Sequence, residues 1–153
     1  MEHSLLCEKL SALTSGVPYR VTNLAGAAAI LYSSLDQINW AGFYLYRDGQ
    51  LVVGPYQGKP ACIYIPLGRG VCGTAAERRE TVVVPDVHQF PGHIACDSAS
   101  RSEIVIPLTV HGELYGVLDI DSPIENRFSE DDRLELETFA NFLTKVLEKE
   151  GAV

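Results

Sequence analysis

Glu103-Ile104-Val105-Ile106-Pro107-Leu108-Thr109-Val110-His111-Gly112-Glu113-Leu114-Tyr115-Gly116-Val117-Leu118-Asp119-Ile120-Asp121 is the stretch on which the fold turns. Ile104, Ile106, Leu108 and Val110 alternate before His111, and Leu114, Leu118 and Ile120 continue the pattern after it. A period of two marks a strand with one buried face. The break at His111-Gly112-Glu113 folds two such strands into an antiparallel hairpin. With those three residues as the loop, the apolar rows align, which sets Ile104 against Ile120 and Glu103 against Asp121. A slip of one residue would send Glu103 to the opposite face. In the aligned register Glu103, Asp119 and Asp121 crowd one sheet face. Like charges opposite one another are unfavourable unless they are solvated, share a proton or hold a ligand between them. A shared proton makes such a set a donor at neutral pH.

The neighbouring segments extend the same layout. Ile38-Asn39-Trp40-Ala41-Gly42-Phe43-Tyr44-Leu45-Tyr46 reads as a strand, Asp48-Gly49 as a hairpin turn, and Leu51-Val52-Val53-Gly54 as the returning strand. Cys62-Ile63-Tyr64-Ile65 and Thr81-Val82-Val83-Val84 are two further short strands. Helices are expected over residues 2–15, with Leu6, Leu10 and Leu13 on one face, and over residues 19–35, with a face of Val21, Leu24, Ala28 and Leu31. A closing helix has Ser129 as its cap, Glu130, Asp131 and Asp132 at its positive end, and a stripe of Leu136, Phe139, Leu143 and Val146. The fold class is therefore α+β: a central antiparallel sheet, with the N- and C-terminal helices packed on one face and ligand-site loops on the other.

Composition narrows the partners. The chain has 153 residues, 46% of them hydrophobic and 21% charged, which suits one domain with a full core. A net charge of -8 with scattered cations argues against nucleic acid or an anionic membrane as partner. No apolar run approaches the roughly 20 residues that span a bilayer, and Met1-Glu2-His3-Ser4 lacks the basic head of a signal peptide. A cytoplasmic location is the expectation, where thiols stay reduced.

Cys7, Cys62, Cys72 and Cys96 are then core, metal or redox residues rather than permanent structural disulfides. Cys7 borders the first helical stripe and reads as a packing residue. A zinc site built from the other three with His88 or His93 matches no standard spacing, so no metal site is expected. Separate cysteines on short segments suit a thiol relay, in which one sulfur is oxidised and another resolves it. Cys96 lies in the polar loop of residues 87–101, at about the fifteen residues where a loop without regular structure is usually functional. Gly68-Arg69-Gly70-Val71-Cys72-Gly73 matches a dinucleotide-binding fingerprint. The short helix expected after it, Thr74 to Glu80, cannot make a parallel crossover of about a dozen residues or more, so the glycines are read as a tight turn near a pocket. Trp40, the lone tryptophan, is either core or the apolar wall of a small-ligand site.

Along nearly its whole length the chain resembles the GAF-domain free methionine-(R)-sulfoxide reductases. The motifs are Ile38-Asn39-Trp40-Ala41-Gly42-Phe43-Tyr44, Gln57-Gly58-Lys59-Pro60-Ala61-Cys62, Gly70-Val71-Cys72-Gly73, His93-Ile94-Ala95-Cys96-Asp97, Ser100-Arg101-Ser102-Glu103 and Leu118-Asp119-Ile120-Asp121. The resemblance implies a single GAF domain over residues 1–153 that reduces free methionine-(R)-sulfoxide to methionine. It implies Cys96 as nucleophile, Cys62 as main resolving thiol and Cys72 as an alternative partner. It places Trp40 against the substrate's methyl end, Glu103 and Asp121 on the sulfoxide oxygen, and Asp119 near the substrate amine or in the same network. No bound cofactor is implied; thioredoxin, fed by NADPH through thioredoxin reductase, would reduce the disulfide. A homodimer is left open. The competing expectation is a non-catalytic GAF module that binds a small ligand or senses redox state through its thiols.

Overall fold

Among the described residues six strands form one sheet in the order β3-β2-β1-β6-β5-β4, every neighbouring pair antiparallel. The strands are β1 (Trp40–Arg47), β2 (Gln50–Gly58), β3 (Tyr64–Pro66), β4 (Val82–Val84), β5 (Ser102–Val110) and β6 (Glu113–Ser122). The helices are α1 (Leu5–Thr14), α2 (Arg20–Ser34), α3 (Gly70–Arg78) and α4 (Glu130–Lys149). The computed structural model describes residues 4–93 and 99–149.

Alternation along the strands sorts the core into two. Ala41, Phe43, Ile104, Ile106, Leu118 and Ile120 point to one face, where α1, α2 and α4 supply Leu10, Leu24, Leu31, Phe139 and Leu143. Trp40, Tyr44, Val105 and Val117 point to the other, beneath Val71, Ala75 and Ala76 of α3. Burying each large apolar side chain contributes about 1.5–3 kcal/mol, so the helix-covered face dominates stability and the α3 face is left for chemistry.

The central hairpin keeps the expected register through its body, with Glu103 opposite Asp121 and Ile104 opposite Ile120. Its tip differs. The loop is the pair His111-Gly112, both with positive φ (53° and 78°), and a shift between Leu108 and Thr109 absorbs the extra residue. Positive φ at both central positions is the turn whose twist matches the strands, so a bulge is cheaper than a three-residue loop. Asp48-Gly49 makes the same kind of turn between β1 and β2.

Four helix details depart from the sequence reading. Val21 is 64% exposed, while Asn23, Ala27 and Ile30 join Leu24, Ala28 and Leu31 in the buried face of α2. Leu13 is 51% exposed, yet its side chain lies over Gly26 of α2, where a Cβ would come within 2.5 Å of it. The α4 stripe ends on buried Leu147 rather than half-buried Val146, because i+4 from Leu143 stays on the packed face. Helix α3 starts at Gly70, so Cys72 lies in its first turn instead of in the turn before it.

The glycine-rich segment leads from β3 at one edge of the sheet to β4 at the other, and both edges pair antiparallel, which rules out a dinucleotide crossover. Gly68 N–H donates to Gly73 O at 2.9 Å, and a Cβ on Gly73 would meet Pro66 O at 2.5 Å. The glycines let α3 press against the end of β3.

Candidate active site

The floor of the site follows from sheet register. Glu103, Asp121 and Trp40 stand side by side on β5, β6 and β1. One row further on the same face come Val105, Asp119 and Gly42. Gly42 is a notch, for a Cβ there would lie 2.2 Å from Tyr56 Cβ and 2.6 Å from its Cα. Through that notch Tyr56 of β2 stacks on Trp40 with ring centroids 5.0 Å apart, and Tyr44 stacks on it at 5.8 Å. Trp40 Nε1 donates to Lys59 O at 3.1 Å, which satisfies the buried indole and fixes the ring. Trp40 is thus both core and wall: it is 2% exposed and lines the cavity.

Helix α3 closes the other side. Cys72 in its first turn is buried, and its thiol donates to Glu103 Oε2 at 3.8 Å. The cavity between floor and helix is narrow, about 40 Å³, and is lined by Trp40, Tyr44, Cys72, Glu103, Asp119 and Asp121 together with Arg69, His93 and Ser100. Two anchors hold its rim: Asn39 Nδ2 donates to Ser100 Oγ at 3.1 Å, and Arg101 N to Ser122 O at 2.7 Å.

Burial sets the protonation of this cluster. Glu103 is pushed well above the usual carboxylate range, first by burial and then by the charges of Asp119 and Asp121. Asp119 is also raised by burial, but hydrogen bonds with Glu103, Asp121 and Cys72 pull it back. Glu103 therefore takes the shared proton first and donates toward Asp119. The Cys72 thiol is pushed far up by burial and by the charges of Asp119 and Glu103, so it stays protonated. The Tyr44 hydroxyl is raised as well, chiefly by burial. His93 is lowered by burial and by His88, which favours the neutral ring, although Asp119 opposes this. Asp119 Oδ1 is buried with no hydrogen-bond partner among the described residues. A neutral acid beside an oriented carboxylate can protonate an oxygen in a water-poor cavity.

Of the residues singled out from sequence, Trp40, Cys72, Glu103, Asp119 and Asp121 meet in one cavity. Cys62 lies just before β3, half-buried against the Trp40 cluster, and is disulfide-bonded, whereas Cys7 and Cys72 are free thiols. Cys96 lies outside the described residues. Cys7 is fully buried on the helix-covered face, as its stripe position indicated. Sequence reasoning missed Tyr44, Tyr56 and Arg69 as part of this site. Tyr44 shares Trp40's strand parity and could have been found that way; Tyr56 depends on the notch and carries no such signal.

A GAF domain model matches residues 16–147 of the chain. The free methionine-R-sulfoxide reductase of Escherichia coli is 53% identical over 137 residues, covering 90% of this chain and 83% of the relative. The chain belongs to the GAF-domain free methionine-R-sulfoxide reductases. Solved structures agree with this membership. The fRMsr of Staphylococcus aureus in its reduced form superposes with a TM-score of 0.91 at 48% identity, covering 94% of this chain and 93% of that one. The free methionine-R-sulfoxide reductase from Neisseria meningitidis, in complex with its substrate, gives 0.90 at 44% identity, covering 94% and 86%. As a member of this reductase family the chain is an oxidoreductase, and its aromatic wall and acid floor form the candidate active site.

Proposed function

We propose that the chain reduces free methionine-(R)-sulfoxide to methionine, with Cys96 as nucleophile. The Cys96 thiolate attacks the sulfoxide sulfur while Glu103, sharing its proton with Asp121, protonates the oxygen. The oxygen leaves as water when the S–O bond breaks, water then attacks the Cys96 sulfur, and the S–S bond breaks to release methionine and leave a sulfenic acid on Cys96. The Cys62 thiol attacks that sulfenic acid, water leaves, and a disulfide forms. Two electrons from the thioredoxin dithiol return both cysteines to thiols, NADPH supplying them through thioredoxin reductase. Trp40 packs on the substrate's methyl end, and Asp119 serves the substrate ammonium or the proton network. Cys72 is the alternative partner for Cys96.

The observation that carries this reading is the acid cluster itself. A sulfoxide oxygen leaves only when protonated, and Glu103 is an acid held neutral by burial and by two neighbouring carboxylates. Two further features support it: the disulfide on Cys62 and the negative floor that favours an ammonium group.

The test is a thioredoxin-coupled assay of NADPH consumption on both sulfoxide epimers, free and peptide-bound. Turnover of the free R epimer alone, abolished by Cys96→Ser, is expected. Full activity in Cys96→Ser removes Cys96 from the nucleophile's role; binding of the sulfoxide without turnover in the parent would instead make the chain a ligand-binding module.

A further inference from the structure

The acid cluster contains one group that proton donation does not require. Cys72 brings a sulfur to the carboxylates from above, and its Sγ, a Glu103 oxygen and an Asp119 oxygen all lie within 4.8 Å of one another, each residue buried. The Cys72 Sγ to Glu103 Oε2 separation is 3.8 Å. A tetrahedral zinc ion, with Zn–S near 2.3 Å and Zn–O near 2.0 Å, sets its sulfur and oxygen ligands about 3.5 Å apart. The Cys72–Glu103 pair therefore needs to close by only a few tenths of an ångström, and Asp119 stands within 4.8 Å of both. A second observation points the same way: Asp119 is 5% exposed, lines the cavity, and has its Oδ1 without a hydrogen-bond partner among the described residues. Three protein ligands with a fourth position open to a cavity is the arrangement of an exchangeable zinc site.

We propose that the reduced protein binds a zinc ion through Cys72 Sγ, Glu103 and Asp119, and that this ion excludes the sulfoxide from the cavity. The donor set selects the metal. A thiolate ligand favours zinc over magnesium or calcium, which demand six or more oxygen ligands and more room than this cavity offers. Two anionic carboxylates and a thiolate carry three negative charges, and a dication among them offsets two of these in a low-dielectric site where uncompensated charge would be costly. Exclusion of the sulfoxide rests on the proposed reductase reading; metal binding does not.

Cobalt(II) is the probe, added to the full chain kept reduced by a phosphine. One equivalent should bind and give a near-ultraviolet thiolate-to-cobalt charge-transfer band. Cys72→Ser should abolish the band, while the double variant Cys62→Ser/Cys96→Ser should retain it. Survival of the band in Cys72→Ser, or its loss in the double variant, would overturn the assignment. Should Cys72→Ser not fold, Asp119→Asn reads the same site, and zinc affinity there should fall by at least about tenfold; unchanged affinity counts against the site. Zinc should raise the apparent KM for free methionine-(R)-sulfoxide without lowering kcat, and a fall in kcat at constant KM refutes competition. Cobalt binding in a chain that turns over no sulfoxide would sink the reductase reading and leave the metal site standing.

Discussion

Glutamine at position 103 should make the protein more stable and nearly inactive at once. Glu103 is 8% exposed, stands opposite Asp121 in the β5–β6 register, and is pushed well above its ordinary value of 4.5 by burial and by Asp119 and Asp121. The sign follows from linkage. A carboxyl raised in the folded state binds its proton more tightly there than in the unfolded chain, so stability is highest below 4.5 and is lost as pH rises through the folded value. Each unit of that displacement is worth about 1.4 kcal/mol, or about 3–5 °C in Tm for a chain of this size. Glu103→Gln keeps the shape and a donor but cannot ionise, so it escapes the loss. Thermal unfolding of parent and variant in the same redox state should give nearly equal Tm values near pH 4 and a gap that widens, in the variant's favour, toward pH 8. Turnover should fall by about 10²–10⁴-fold, the usual worth of a general acid. A variant less stable than the parent at every pH would refute the raised carboxyl. One within threefold of parental kcat would show that Glu103 is not the acid.

Two further substitutions probe the frame. Gly42→Ala should cost about 1–3 kcal/mol in urea unfolding, because the new Cβ would lie 2.2 Å from Tyr56 Cβ and must push β2 away. Trp40 fluorescence should shift as Tyr56 unstacks, and an unchanged spectrum with parental stability would remove the notch from the account. Ser129→Ala should cost about 1 kcal/mol and leave kcat and KM alone. Ser129 Oγ accepts from Asp132 N at 3.1 Å and Asp132 Oδ2 accepts from Ser129 N at 2.9 Å, a reciprocal cap far from the cavity. A loss below a few tenths of a kcal/mol would show that the cap is redundant.

Alternation from Ile104 to Ile120, with Leu118 and Ile120 flanking Asp119, is enough to place three carboxylates on one sheet face. Side-chain parity is a local property of extended chain, so one correct register carries a whole face with it. The same logic set the two-residue Asp48-Gly49 turn and the cap at Ser129, where backbone conformation is dictated by the residues themselves. It failed at Val21 and Leu13, whose exposure depends on how α1 and α2 lie on each other, and at the start of α3, whose glycines obscure the helical signal.

Local pattern along the chain is enough for the antiparallel sheet, the pairing of Glu103 with Asp121, and the residue types for acid and thiol chemistry. Packing between distant segments brings the Cys72 thiol of α3 to 3.8 Å from Glu103, lets Tyr56 reach Trp40 through the gap at Gly42, and buries the carboxylates deeply enough to hold a proton. Those outcomes depend on the distance between segments far apart in the chain and on how much water their packing excludes. Periodicity specifies which face a side chain is on; the dielectric around it and the atoms across from it are set by the layers that close over that face.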